Sequence, residues 1–160
     1  MKKLPKIPKA EAPPDKLWAW LEAALEDIEI VRKTAGYSVD MTEWVVRNPD
    51  TCTSCLAGAA MLRRTGIASN VAAIVTRPMQ WYPSDAEVSA AQHHRLRELN
   101  YLREGGLDLL EGTPRPEHVA KALRWVREHR SIDSRDSEEV WTAWHAQMRI
   151  ALEWLKEIDY

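Results

Sequence analysis

Cys52-Thr53-Ser54-Cys55 is the first place in this 160-residue chain where residue types and spacing suggest chemistry. Two cysteines three apart near a helix start place both sulfurs on one face, and the positive end of a helix favours thiolate. That geometry suits thiol–disulfide exchange. A thioredoxin-like site needs a preceding strand and a parallel sheet, and the sequence predicts neither. Structural zinc needs four ligands, so His93 and His94, or His118 and His129, would have to complete the set with Cys52 and Cys55 from distant helices; if only part of such a site forms, it is Cys52 and Cys55 with His93 or His94. The plainer alternative is two buried cysteines acting as small apolar residues. The reading favours that alternative, with no cofactor.

The remaining candidates are weaker. His93 and His94 project away from the apolar side of their predicted helix, toward solvent or an interface. Acid pairs such as Glu26-Asp27 and Glu138-Glu139 read as solvated faces or helix starts. Arg63-Arg64 with Arg95, Arg97 and Arg103, and Arg124, Arg127 and Arg130, are basic clusters. Acids interleave with most of them, which favours a solvated surface. No phosphate-cradling loop, nucleophile elbow, His-Glu-x-x-His or Ca²⁺ loop occurs. The formal charge of -2 gives no overall steering toward nucleic acid or anionic lipid.

Two features point to binding instead. The chain has eight Trp, four Tyr and no Phe. Trp is favoured at binding hot spots, although the plainer account is that it fills the core where Phe is missing. Trp81 and Tyr82, between Pro78 and Pro83, read as an aromatic loop, a type of segment that often carries function. Residues 1–14 hold four Lys and four Pro, an extended arm that presents Lys3, Lys6 and Lys9. Such an arm is either a disordered tail or a strap for an acidic partner or phosphate backbone.

The elements that must position these residues read as helices over 15–160. Asp15 caps a first helix with an apolar face of Leu17, Leu21, Leu25 and Ile28, stopped by Gly36. Asp40-Met41-Thr42-Glu43 has the order of a capping box and opens a short helix through Trp44, Val45 and Val46. Asn48-Pro49-Asp50 is a turn. A third helix runs from Thr51 or Ser54 to Arg64. Residues 67–83 read as a helical or irregular crossing. Ser84-Asp85-Ala86-Glu87 opens a helix to about Arg103. Two more span roughly Pro116–Arg130 and Ser137–Ile158. No strand pair with a hairpin turn is evident. The expected fold is therefore all-α: one irregular bundle of about six helices with an N-terminal arm.

The stretch Val39-Asp40-Met41-Thr42-Glu43-Trp44, followed by Cys52-Thr53-Ser54-Cys55-Leu56-Ala57-Gly58-Ala59-Ala60, resembles small uncharacterised proteins of bacteriophages and prophages. These carry a D/N-M-x-x-W segment before C-x(2–4)-C-x-A-G-x-A. The resemblance covers about a quarter of the chain; Thr53-Ser54 fills a narrower gap than the commoner form. It implies a phage accessory factor that binds a host protein or complex, such as a defence system. The residues themselves suggest a packing unit in which Gly58 leaves room for the Trp44 ring. The leading expectation is a non-enzymatic interaction protein. The alternatives are a metal- or thiol-dependent protein using Cys52 and Cys55, and a nucleic-acid binder. No secretory signal or membrane span is expected, which makes the cytoplasm the default location.

Overall fold

The computed structural model describes residues 4–67, 79–83, 88–107 and 113–160. Within them, α1 (Leu17–Lys33) buries Leu17, Leu21, Ala24, Ile28 and Val31 at helical spacing. Lys16 stands at its N-cap without a side-chain cap bond. Asp15, the expected cap, instead pairs with Arg95 at 2.8 Å. Three strands follow: β1 (Tyr37–Val39), β2 (Val45–Arg47) and β3 (Cys52–Ser54). Then come α2 (Leu56–Arg64), β4 (Met79–Trp81), α3 (Ala90–Arg103), α4 (Glu117–Glu128) and α5 (Glu138–Glu157).

The all-α expectation is overturned. Among the described residues stand five helices and a four-stranded mixed sheet of order β1-β3-β2-β4. β1 runs parallel to β3, while β2 runs antiparallel to both β3 and β4. The segment expected as a short helix after Asp40 is a turn followed by β2. Asp40 accepts hydrogen bonds from the Thr42 backbone and hydroxyl, which holds a turn and starts no helix. Val45 and Val46 are β-branched and suit a pleated strand. The Asn48–Asp50 turn is present, closed by Asn48 N–H on the Thr51 carbonyl at 2.8 Å, and it joins β2 to β3 as a hairpin. The third helix therefore begins only at Leu56, with Cys55 as its cap.

The free edge of β1 is covered by the chain after α4. Ser134 Oγ accepts from Val39 N–H at 2.7 Å, and Ser134 N–H returns a bond to the Val39 carbonyl. Helices α1, α2, α3 and α5 enclose a core in which Trp20, Trp81, Trp141, Trp144 and Trp154 are buried. Trp18, Trp44 and Trp125 are half-buried at its margin. Most of the Trp excess is thus core filling. No helix among the described residues is long and apolar enough to cross a membrane.

Gly58 fixes how α2 meets the sheet. A Cβ there would lie 1.7 Å from the Trp44 carbonyl oxygen. That same oxygen accepts the Cys55 N–H at 3.2 Å. The packing unit read from the motif exists, but glycine makes room for the Trp44 backbone and not for its ring.

Candidate functional site

Cys52 ends up in β3 and Cys55 at the start of α2, both as buried free thiols. Burial pushes the Cys52 thiol up to about 12, with Arg47 acting weakly against it. Burial also raises Cys55, whose sulfur accepts the Gly58 N–H at 3.4 Å. Thiols that are inaccessible and held protonated are poor nucleophiles and poor metal ligands. His93 and His94 lie on the outer face of α3 and do not join them. Among the described residues no group of three or more His, Cys, Asp or Glu is placed to hold a metal ion.

The arm over residues 4–14 is extended, but it lies on the protein's own surface. Leu4 and Ile7 are buried while Lys6 and Lys9 face solvent. Lys3 lies outside the described residues. An extended proline-rich chain turns once in about three residues, so the spacing of Leu4, Ile7 and Ala10 aligns them on one side. Ala10 N–H donates to the Arg63 carbonyl at 2.9 Å. Arg63 Nε donates to the Pro8 carbonyl at 2.8 Å, and Arg64 Nη1 to the Glu11 carbonyl at 3.2 Å.

The same two arginines close on Asp27 of α1, which is fully buried. Arg63 Nη1 lies 2.5 Å and Arg64 Nη2 2.9 Å from Asp27 Oδ1. Burial raises the Asp27 carboxyl, and the hydrogen bonds from Arg64 and Arg63 oppose that rise. This corrects two expectations. Asp27 is no solvated acid, because it stands in the buried row Trp20–Ala24–Asp27–Val31; its neighbour Glu26 is 63% exposed. Arg63 and Arg64 are no solvated surface, because their side chains are 8% and 13% exposed and close on Asp27. Most of the other clustered arginines are likewise engaged. Arg95 binds Asp15 and Glu98, Arg103 binds Asn100 and Glu104, and Arg127 and Arg130 donate to backbone carbonyls.

Arg97 differs. It is exposed and makes no ion pair or hydrogen bond with the described residues. Helix α3 starts with Ser89 and Gln92 in a reciprocal capping box; the expected Ser84–Glu87 box lies outside the described residues. The helix turns Leu96, Leu99 and Leu102 inward. That orientation sends His93, Arg97 and Asn100 outward, with His94 and Tyr101 beside them.

Two shallow clefts flank this row. One, of about 300 Å³, is lined by Trp44, Tyr82, Pro83, His93, Arg97 and Asn100. The other, of about 320 Å³, shares Arg97 and Asn100 and adds His94, Glu98, Tyr101 and Glu104. Tyr82 is 43% and Tyr101 56% exposed, two of the three large apolar side chains exposed among the described residues. Trp81 and Tyr82 therefore part company. Trp81 ends β4 and turns inward opposite Val45, while Tyr82, one residue on, turns out. The sequence singles out Tyr82 and groups Arg97 with Arg63-Arg64, Arg95 and Arg103, but misses Tyr101; the side of α3 opposite Leu96, Leu99 and Leu102 marks both Arg97 and Tyr101 as outward.

An α/β protein with an exposed face of tyrosine, histidine and arginine is the class these observations define. Comparison with known protein families, curated proteins and solved structures finds nothing that matches this chain.

Proposed function

We propose that this protein is a non-enzymatic interaction factor that binds another protein through the outer face of α3 and the adjoining Tyr82. One observation carries the reading: Tyr82 and Tyr101 border the same row as Arg97, which is exposed and has no partner among the described residues. Tyr and Arg dominate binding hot spots, since each offers large contact area and a directed polar group. The rigid backing of α3, packed on α1 and α2, lets the face bind without first becoming ordered.

The Cys-containing motif's resemblance to phage and prophage proteins supports a host protein or complex as the partner, a defence complex included. Capture from a bacterial host lysate tests this. The wild-type protein retains a stoichiometric partner, and a Tyr82→Ala/Tyr101→Ala variant of unchanged thermal stability releases it. A partner held equally by both proteins, or no partner at all, overturns the proposal.

A further inference from the structure

We infer that the partner of this face presents a carboxylate, an Asp or Glu side chain on an acidic segment, to Arg97 in the cleft between Trp44 and Tyr82. The inference rests on the interaction reading above and names the chemistry of its partner.

Among the described residues, the side chains lining the cleft are rich in donors and poor in acceptors. Arg97 brings a guanidinium with five N–H groups and no partner among the described residues. Asn100 lines the same cleft, and its Oδ1 already accepts from Arg103 Nε. Its amide N–H₂ is what remains to offer an incoming group. His93 adds a ring nitrogen one helical turn before Arg97.

No Asp or Glu lines this cleft among the described residues. The nearby acids are engaged elsewhere. Glu98 accepts from Arg95 at 2.6 Å and from the Tyr160 hydroxyl at 2.8 Å, and Glu43 accepts from Gln80 at 2.9 Å. The neighbouring cleft, in contrast, carries Glu98 and Glu104. A guanidinium and an amide N–H₂ with no partner among the described residues select a planar anion with two acceptor oxygens. The Trp44, Tyr82 and Pro83 walls border Arg97, so that a partner seated across them shields the pair from water and strengthens it. They also provide apolar contact for the methylenes of the acidic residue and its neighbours. A protein carboxylate fits a face flanked by two exposed tyrosines, and the chain's net charge of -2 leaves the attraction local to Arg97.

A random peptide-display library panned on the full-length protein tests the inference, with Arg97→Ala as the counter-selected bait. Arg97 is exposed, so the variant keeps the fold, and unchanged thermal unfolding verifies this. Selected peptides are expected to be enriched in Asp and Glu over the starting library. They should bind Arg97→Ala about tenfold or more weakly, the loss expected for a charge-assisted pair. Gln and Asn versions of the same peptides should lose a similar factor.

Selection without acid enrichment, no selection at all, or unchanged affinity for Arg97→Ala overturns the inference. Tighter binding of a single-stranded oligonucleotide than of any selected peptide overturns it in favour of nucleic acid. Lysate capture separates the two levels of the argument. If Arg97→Ala holds the partner like wild type while Tyr82→Ala/Tyr101→Ala releases it, the carboxylate is wrong and the face stands. If neither variant releases it, both readings fall.

Discussion

Arg63 and Arg64 at the end of α2, and Arg97 in the middle of α3, are the same chemical group in two settings. The first pair closes on a fully buried Asp27 and holds down the arm through the Pro8 and Glu11 carbonyls. Arg97 meets no acid and no carbonyl among the described residues, and tyrosines flank it. The difference teaches where this protein spends charge. Inside, charge ties elements together; on α3 it is left available. Removing an internal charge should cost stability, and removing Arg97 should cost only binding.

Asp27→Asn breaks the internal cluster most severely. It strands two guanidiniums in a site built around a carboxylate, a loss of about 3–5 kcal/mol. Urea unfolding measures it, and a loss under about 1 kcal/mol would mean that solvent already satisfies the arginines. Gly58→Ala is next, because its Cβ cannot coexist with the Trp44 carbonyl. Overpacking of this kind costs about 1–3 kcal/mol. It also shifts Trp44, a wall of the α3 cleft, so stability and partner capture should decline together.

Ile7→Ala in the arm should cost about 2 kcal/mol, since the side chain is buried and belongs to the hydrophobic core. Destabilisation near zero would show that the arm contributes nothing to folding.

His145, between α5 and α1, gives a smaller, pH-dependent effect. Burial lowers its pKa below the ordinary value, against the attraction of Glu29 at 3.1 Å. As pH falls below about 6.5 the unfolded chain takes up the proton first, so stability declines. Burial raises the Glu29 carboxyl, but the Arg32 hydrogen bond together with the charges of Arg32, His145 and Lys33 outweighs it and holds the group low, which extends the loss to lower pH. The midpoint of thermal unfolding should drop between neutral and mildly acid pH, and His145→Gln should flatten the first part of that drop. Arg97→Ala comes last on this scale, with stability within about 0.5 kcal/mol of wild type.

Legibility in the sequence follows element length. Helices α1, α4 and α5 were readable to within a few residues because their apolar stripes repeat over three or more turns. The strands were not. Each has three residues, which gives a single alternation, and Val45-Val46 behind a capping-box sequence looks like the start of a helix. Tertiary pairing decides such segments, and β2 is a strand because β3 and β4 lie on either side of it.

The site was half legible. Tyr82 stands out as an aromatic among prolines, but the sequence does not separate it from its neighbour Trp81, because the alternation of an extended chain shows only once the segment is known to be a strand. Asp27 was hidden by its charge. Its position in the row from Trp20 to Val31 marks it as interior, and the adjacent Arg63-Arg64 pair supplies the counter-charge that lets it stay there.

Hydroxyl-radical footprinting of the protein alone and bound to its captured partner tests the central claim most directly. Labelling of Tyr82 and Tyr101 should fall together on binding, while Ile158, the other exposed large apolar side chain among the described residues, keeps its reactivity. Unchanged labelling of both tyrosines, with protection moved to Ile158 or to Trp125 in the α4–α5 groove, would contradict it.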